Sequence, residues 1–325
     1  MANQRIVLTN PIEEAAADML SNVAEVHLSP SPDEETMMGL LESTVGIVAR
    51  GDGFVNRRMI ESCPTLRVIG RPGAGYDAVD VVAAARQGIP VVFAPVGGFA
   101  VAEGALAMLL ALVKNIYECD HFVKSSQWHK RYEFATGDMT EQTLGIVGLG
   151  RIGLGLAKLA KPFDMTLLGY DPFVKGQALK DTSVQWVELE ELLHRSDYVS
   201  FHLPLSDETR GLVNRERIAI MKKGAILINT ARGAVIESLD VLAEALETGQ
   251  LSYVGLDVFP TEPPDTAHRI FKDSRCLCAP HMAGASELSW KRVCQTMAKG
   301  MIAVLRGGRP EYCVNPEVFD QCATS

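Results

Sequence analysis

Residues 143–173 read TLGIVGLGRIGLGLAKLAKPFDMTLLGYDPF, and their pattern decides the fold. The apolar run from Thr143 to Val147 has the length of a buried strand and leads into Gly148, Gly150 and Gly153 in GxGxxG spacing. A helical pattern follows, then a second apolar run that Asp171 closes. Gly148 permits a tight turn, Gly150 lets a pyrophosphate approach the backbone, and Gly153 lets the helix pack close, with its N-terminus facing the anion. Arg151 and Ile152 open that helix and join the cofactor-binding set. A carboxylate at Asp171 accepts both ribose hydroxyls and repels a 2′-phosphate, so the pattern predicts NAD over NADP.

Outward from this stretch, short β-branched runs alternate with helical patterns. RIVL, EVHL, VGIVA, LRVIG and IPVVF predict five strands within residues 5–93, and TLGIVG, TLLGY, DYVSF, AILIN, YVGLDV and CLCAP predict six more from about residue 143. Such alternation implies α/β architecture with two parallel sheets and crossover helices. Residues 100–124 carry an apolar stripe at helical spacing and read as one long helix connecting two domains. Residues 285–308 read as a second long amphipathic helix, stopped by Gly307 and Gly308.

The 325 residues suit two domains rather than one small core. A formal charge of −9 disfavours a nucleic-acid partner, whose phosphates call for many cations. No leader pattern opens the chain and no apolar run reaches about 18 residues, so the expectation is a cytoplasmic protein without a membrane partner. The seven cysteines include no CxxC and have no histidine at ligand spacing, so no metal is expected. Cys276 and Cys278 share one face of a strand and resemble core packing; all seven read as reduced thiols.

RPGAGYDAVDVVAAARQGIPV, VAEGALAMLLAL, TLGIVGLGRIG, FHLPLSDETRGLVN, MKKGAILINTARG, GLDVFPTEP and APHMAGAS occur in this order along nearly the whole chain. In this series the chain closely resembles the NAD-dependent D-isomer-specific 2-hydroxyacid dehydrogenase family. The resemblance implies two doubly wound parallel-sheet domains: a Rossmann NAD-binding domain, 100–286, inserted in a flavodoxin-like substrate domain, 1–99 and 287–325. It also implies hydride transfer between NAD(H) and a small D-2-hydroxy or 2-oxo acid, in a homodimer.

By the same resemblance Arg232 holds the substrate carboxylate and keto oxygen, a task that suits a permanently charged planar fork. His281 moves the proton and Glu262 tunes it; an imidazole titrates near ~6.5 when unperturbed, which suits exchange in both directions. A carboxylate there also sets the chain apart from formate dehydrogenases, which use an amide. Asp257 approaches the nicotinamide amide, His202 and Pro204 lie over the adenine side, and Thr209 stands near the phosphates. Thr230, Ala231 and Val101 complete the cofactor set. Gly73, Ala74 and Gly75 offer backbone N–H groups to the substrate carboxylate. Arg50 and Arg71 read either as an extension of that cationic rim, for a further phosphate or carboxylate, or as surface arginines. Two other functions share the scaffold: an NAD(H)-sensing, corepressor-like regulator and a phosphite dehydrogenase. A serine-binding regulatory domain is not expected.

Overall fold

A computed structural model describes residues 4–133, 135–180 and 182–321. The chain divides into two units, Met1–Gly97 with Ser286–Ser325, and Gly98–Ala285. These divisions fall two residues and one residue before the expected 99/100 and 286/287.

In the first unit, β1 (Arg5–Leu8), β2 (Glu25–Leu28), β3 (Thr44–Val48), β4 (Val68–Arg71) and β5 (Val91–Phe93) form one sheet in the order β2-β1-β3-β4-β5. All four pairings are parallel, the flavodoxin-like winding. β3 is buried along its whole length, as a strand covered on both faces must be. The Glu287–Leu305 helix covers one face with Val293, Met297 and Met301. It sits close because Gly70 faces it: a Cβ there would lie 2.3 Å from the Met301 sulfur. Ser286 caps the helix by accepting the Ser289 N–H at 3.3 Å, and the chain leaves it through Gly307 at φ +83°.

In the second unit, β6 (Thr143–Val147), β7 (Thr166–Tyr170), β8 (Val184–Trp186), β9 (Tyr198–Phe201), β10 (Ala225–Asn229), β11 (Leu251–Leu256) and β12 (Cys276–Cys278) run parallel in the order β12-β11-β10-β9-β6-β7-β8. The winding reverses between β6 and β9, so their carboxyl ends open a crevice, the usual ligand position in this architecture.

The expected single helix over 100–124 is two helices, Gly98–Val113 and Ile116–Lys124, bent by 57°. Asn115 breaks it in the left-handed region at φ +46°, which asparagine tolerates better than most residues. Nor is the first helix a connector. Ala102, Ala105, Leu109 and Leu112 bury it in the core of the second unit, and the Arg151–Ala160 helix packs closely on it where Gly155 meets Ala102. Among the described residues no single helix is long and apolar enough to cross a membrane.

Six cysteines are free thiols, and Cys322 lies outside the described residues. The core-packing expectation fails for Cys278, which is exposed, because β12 is a three-residue edge strand with one neighbour.

Candidate active site

The β6 turn has the geometry its glycines imply. Gly148 adopts φ +98°, a region closed to most side chains, and a Cβ there would lie 2.5 Å from the His202 carbonyl oxygen. At Gly153 a Cβ would fall 1.9 Å from the Gly148 carbonyl oxygen, so only hydrogen lets the helix start this close to the turn. Gly150 differs, because nothing lies within 4 Å of its Cβ position. It is the N-cap of the Arg151–Ala160 helix and offers no side-chain acceptor to the first-turn N–H groups. Those donors, beside an open glycine, fit a dinucleotide pyrophosphate.

Asp171 is buried and already bonded. One oxygen accepts the Leu149 N–H at 2.9 Å, and the other accepts the Phe173 and Val174 N–H groups at 2.8 and 3.1 Å. These bonds aim the carboxylate at the turn, and a carboxylate has about four acceptor positions, which leaves capacity for a ribose hydroxyl.

His202 sits at the end of β9, inside the protein, with Nε2 2.9 Å from the Ser200 hydroxyl and Nδ1 3.5 Å from that of Thr230. Burial pulls its pKa down to about 4, so it is a neutral, structural imidazole. Pro204 is exposed; its carbonyl accepts the Thr209 hydroxyl at 2.7 Å, so Thr209 closes its own loop.

Arg232, Glu262 and His281 all lie in loops that follow β10, β11 and β12. Glu262 Oε2 is 2.8 Å from His281 Nδ1, and its Oε1 accepts the Phe259 N–H at 3.0 Å. Burial tends to raise the Glu262 pKa, but the bonds from His281 and Phe259 and the charge of Arg232 outweigh it and hold the carboxyl below its ordinary value. Arg232 Nη1 donates to the Ala231 carbonyl at 2.7 Å. The Arg232 turn is fixed by Asn229, whose side chain donates to the Arg232 carbonyl at 2.9 Å and accepts the Ala231 N–H at 3.0 Å.

Two positioning residues escape a sequence reading. A Cβ on Gly233 would lie 1.9 Å from the Phe259 carbonyl carbon, so glycine lets the Arg232 turn rest on the segment leading to Glu262. Gly104 does the same for the far side of His281, where a Cβ would come within 2.9 Å of the Ala283 Cα; Val101 faces the neighbouring Gly284.

Asp257 holds the His281 loop. Its carboxylate accepts the Met282 and Ala283 N–H groups at 2.7 and 3.0 Å, and its carbonyl accepts the His281 N–H at 2.8 Å. This clamp sustains the left-handed backbone of His281, φ +56°. Burial raises the Asp257 pKa against the opposing pull of those N–H groups.

In the first unit, Arg71 donates to the Gly75 carbonyl at 3.0 Å and the Ala49 carbonyl at 2.9 Å. It shapes the Gly73–Ala74–Gly75 loop, in which Gly73 takes φ +129°. Arg50 stacks on Trp290 at 4.2 Å and donates to the Pro11 carbonyl.

A Rossmann sheet, a glycine turn without a side-chain cap and a carboxylate-paired histidine beyond it define a dinucleotide-dependent α/β protein. The description "D-isomer specific 2-hydroxyacid dehydrogenase, NAD binding domain" matches residues 106–283. The chain is 36% identical over 313 residues to a D-3-phosphoglycerate dehydrogenase of Methanocaldococcus jannaschii, covering 96% of this chain and 59% of that one. It is 35% identical to a glyoxylate reductase of Thermococcus litoralis, covering 97% of this chain and 98% of that one. The solved D-lactate dehydrogenase of Aquifex aeolicus, complexed with NAD and lactic acid, superposes with a TM-score of 0.88 at 28% identity, covering 96% and 99%. The chain therefore spans under three fifths of the phosphoglycerate dehydrogenase and nearly all of the reductase. It belongs to the D-isomer specific 2-hydroxyacid dehydrogenase family, and its cofactor is NAD.

Proposed function

We propose that the protein interconverts a small D-2-hydroxy acid and its 2-oxo acid. The observation that carries this reading is the 2.8 Å Glu262–His281 pair, with the Arg232 charge acting on Glu262, in loops beyond the carboxyl ends of a dinucleotide-binding sheet. Bound NAD supplies the hydride acceptor, and NADH the donor. Arg232 holds the acid's carboxylate and keto oxygen through its planar fork. With Nδ1 engaged by Glu262, His281 presents Nε2 to the oxygen on C2; it gives a proton to the oxo acid and takes one from the hydroxy acid. The Glu262 carboxylate selects that tautomer and stabilises the imidazolium.

For the first unit, the reading assigns the Gly73, Ala74 and Gly75 amides to the substrate carboxylate, with Arg71 shaping their loop. Exposed Tyr117, Val123 and Trp128 support a homodimer, since apolar surface of this kind marks interaction sites. A cytoplasmic location, and the absence of nucleic-acid and membrane partners, belong to the same reading.

The test is a panel: NADH oxidation with glyoxylate and pyruvate, and NAD reduction with the D and L forms of lactate and with D-3-phosphoglycerate. Turnover of at least one oxo acid, and of D over L lactate if lactate is used, is expected. Tight NADH binding with no turnover of any of these acids would instead favour a regulatory NAD(H) sensor.

A further inference from the structure

The two cysteines of β12 stand apart from the machinery above. Their sulfurs lie 3.6 Å apart, on the same side of an edge strand that, among the described residues, pairs with β11 alone. Cys278 is exposed and Cys276 half-buried. Alternate residues of an extended strand have Cα atoms roughly 6.6 Å apart, near the upper limit for a disulfide, so closing the bond requires only a slight pucker. A strand with a single neighbour resists such a pucker weakly.

We propose that Cys276 and Cys278 form a redox modification site: a low-molecular-weight disulfide converts the dithiol to an intramolecular disulfide that displaces the His281 loop. Cys278 is the attacking thiol. It is the exposed sulfur of the pair, and the contact with Cys276 holds it below its ordinary pKa, whereas that same contact and burial push Cys276 up. The Cys278 thiolate attacks one sulfur of the oxidant and expels a thiolate, leaving a mixed disulfide. Cys276 then gives up its proton and attacks the Cys278 sulfur, expelling the second thiol. Overall, one dithiol is oxidised and one small disulfide becomes two thiols.

The effect reaches His281 because only Ala279 and Pro280 separate it from Cys278. The Ala279 N–H bonds the Leu256 carbonyl at 2.9 Å, and the His281 N–H bonds the Asp257 carbonyl at 2.8 Å, so a puckered β12 strains both. This second part rests on the function proposed above; the chemistry at the cysteines does not.

The native full-length protein is incubated with oxidised glutathione, blocked with an alkylating reagent and digested with trypsin. Cleavage after Arg275 and Lys291 isolates a peptide, residues 276–291, that holds these two cysteines and no other. The expected peptide lacks two hydrogens, carries no alkyl group and becomes doubly alkylated once dithiothreitol is added. Cys276→Ser should trap glutathione on Cys278, and Cys278→Ser should take up far less. A doubly alkylated peptide after oxidation, or glutathione on both cysteines, overturns the site.

For the consequence, oxidised protein should reduce its best oxo acid at least about tenfold more slowly with NADH affinity unchanged, and dithiothreitol should restore it. A formed disulfide with undiminished turnover overturns the link to His281. If the reduced protein turns over no acid, the proposed function fails, while the peptide result still decides the site.

Discussion

At the scale of single residues, the strongest demand falls on Glu262. Its carboxyl stays ionised to lower pH than usual because the bonds from His281 and the Phe259 N–H outweigh its burial, so it stands opposite Nδ1 as a carboxylate through the neutral range. Glu262→Gln keeps a hydrogen-bond partner for Nδ1 but removes the charge that stabilises imidazolium. We expect kcat for oxo-acid reduction to fall by roughly 10²-fold with NADH affinity unchanged. An unchanged kcat would reduce the carboxylate to a structural part. All three side chains of the trio are legible in the sequence, because each stands in a distinctive motif after an apolar run. The role of Asp257 is not: the sequence places it at a strand end near the nicotinamide, and the structure adds the two backbone N–H bonds that hold the His281 loop.

At the scale of elements, the glycines of the first βα turn divide the work in a way that spacing alone does not show. Gly153→Ala brings a methyl against the Gly148 carbonyl and should cost about 1–3 kcal/mol of stability through forced backbone movement. Gly150→Ala meets no protein atom within 4 Å. Its stability should change by less than about 1 kcal/mol, while NADH affinity falls at least about tenfold, because the methyl occupies the approach to the helix N-terminus. Denaturant unfolding and NADH titration of both variants separate these effects; equal loss of stability would contradict the division.

Eleven strands are legible as short apolar runs, whereas β8 is not. Its three residues, Val184–Trp186, lie at the sheet edge and bury little, so hydrophobic periodicity has little to register. The bend at Asn115 and the close approaches at Gly104 and Gly233 are also invisible in sequence. The two close approaches are set by atoms far along the chain, and the bend by a single left-handed residue.

At the scale of the whole molecule, one buried histidine couples stability to pH. Unfolded, the His202 imidazole binds a proton near ~6.5; folded, only at about 4. Between those values the unfolded chain holds more protons, so stability is complete above ~6.5 and declines as pH falls toward about 4, by about 3 kcal/mol from this group. His202→Gln removes that contribution. Thermal unfolding between pH 7 and pH 4.5, values chosen to span most of this window, should show a steeper loss for the parent than for the variant, and parallel curves would contradict the assignment.

The central claim concerns the whole assembly of loops beyond the NAD-binding sheet: that Arg232, Glu262 and His281 act together on a 2-oxo acid. It is tested most directly by kcat/KM of Arg232→Ala with the best oxo acid, measured beside its NADH affinity. The account predicts a loss of about 10²–10³-fold or more with NADH binding retained; a variant as active as the parent would contradict it.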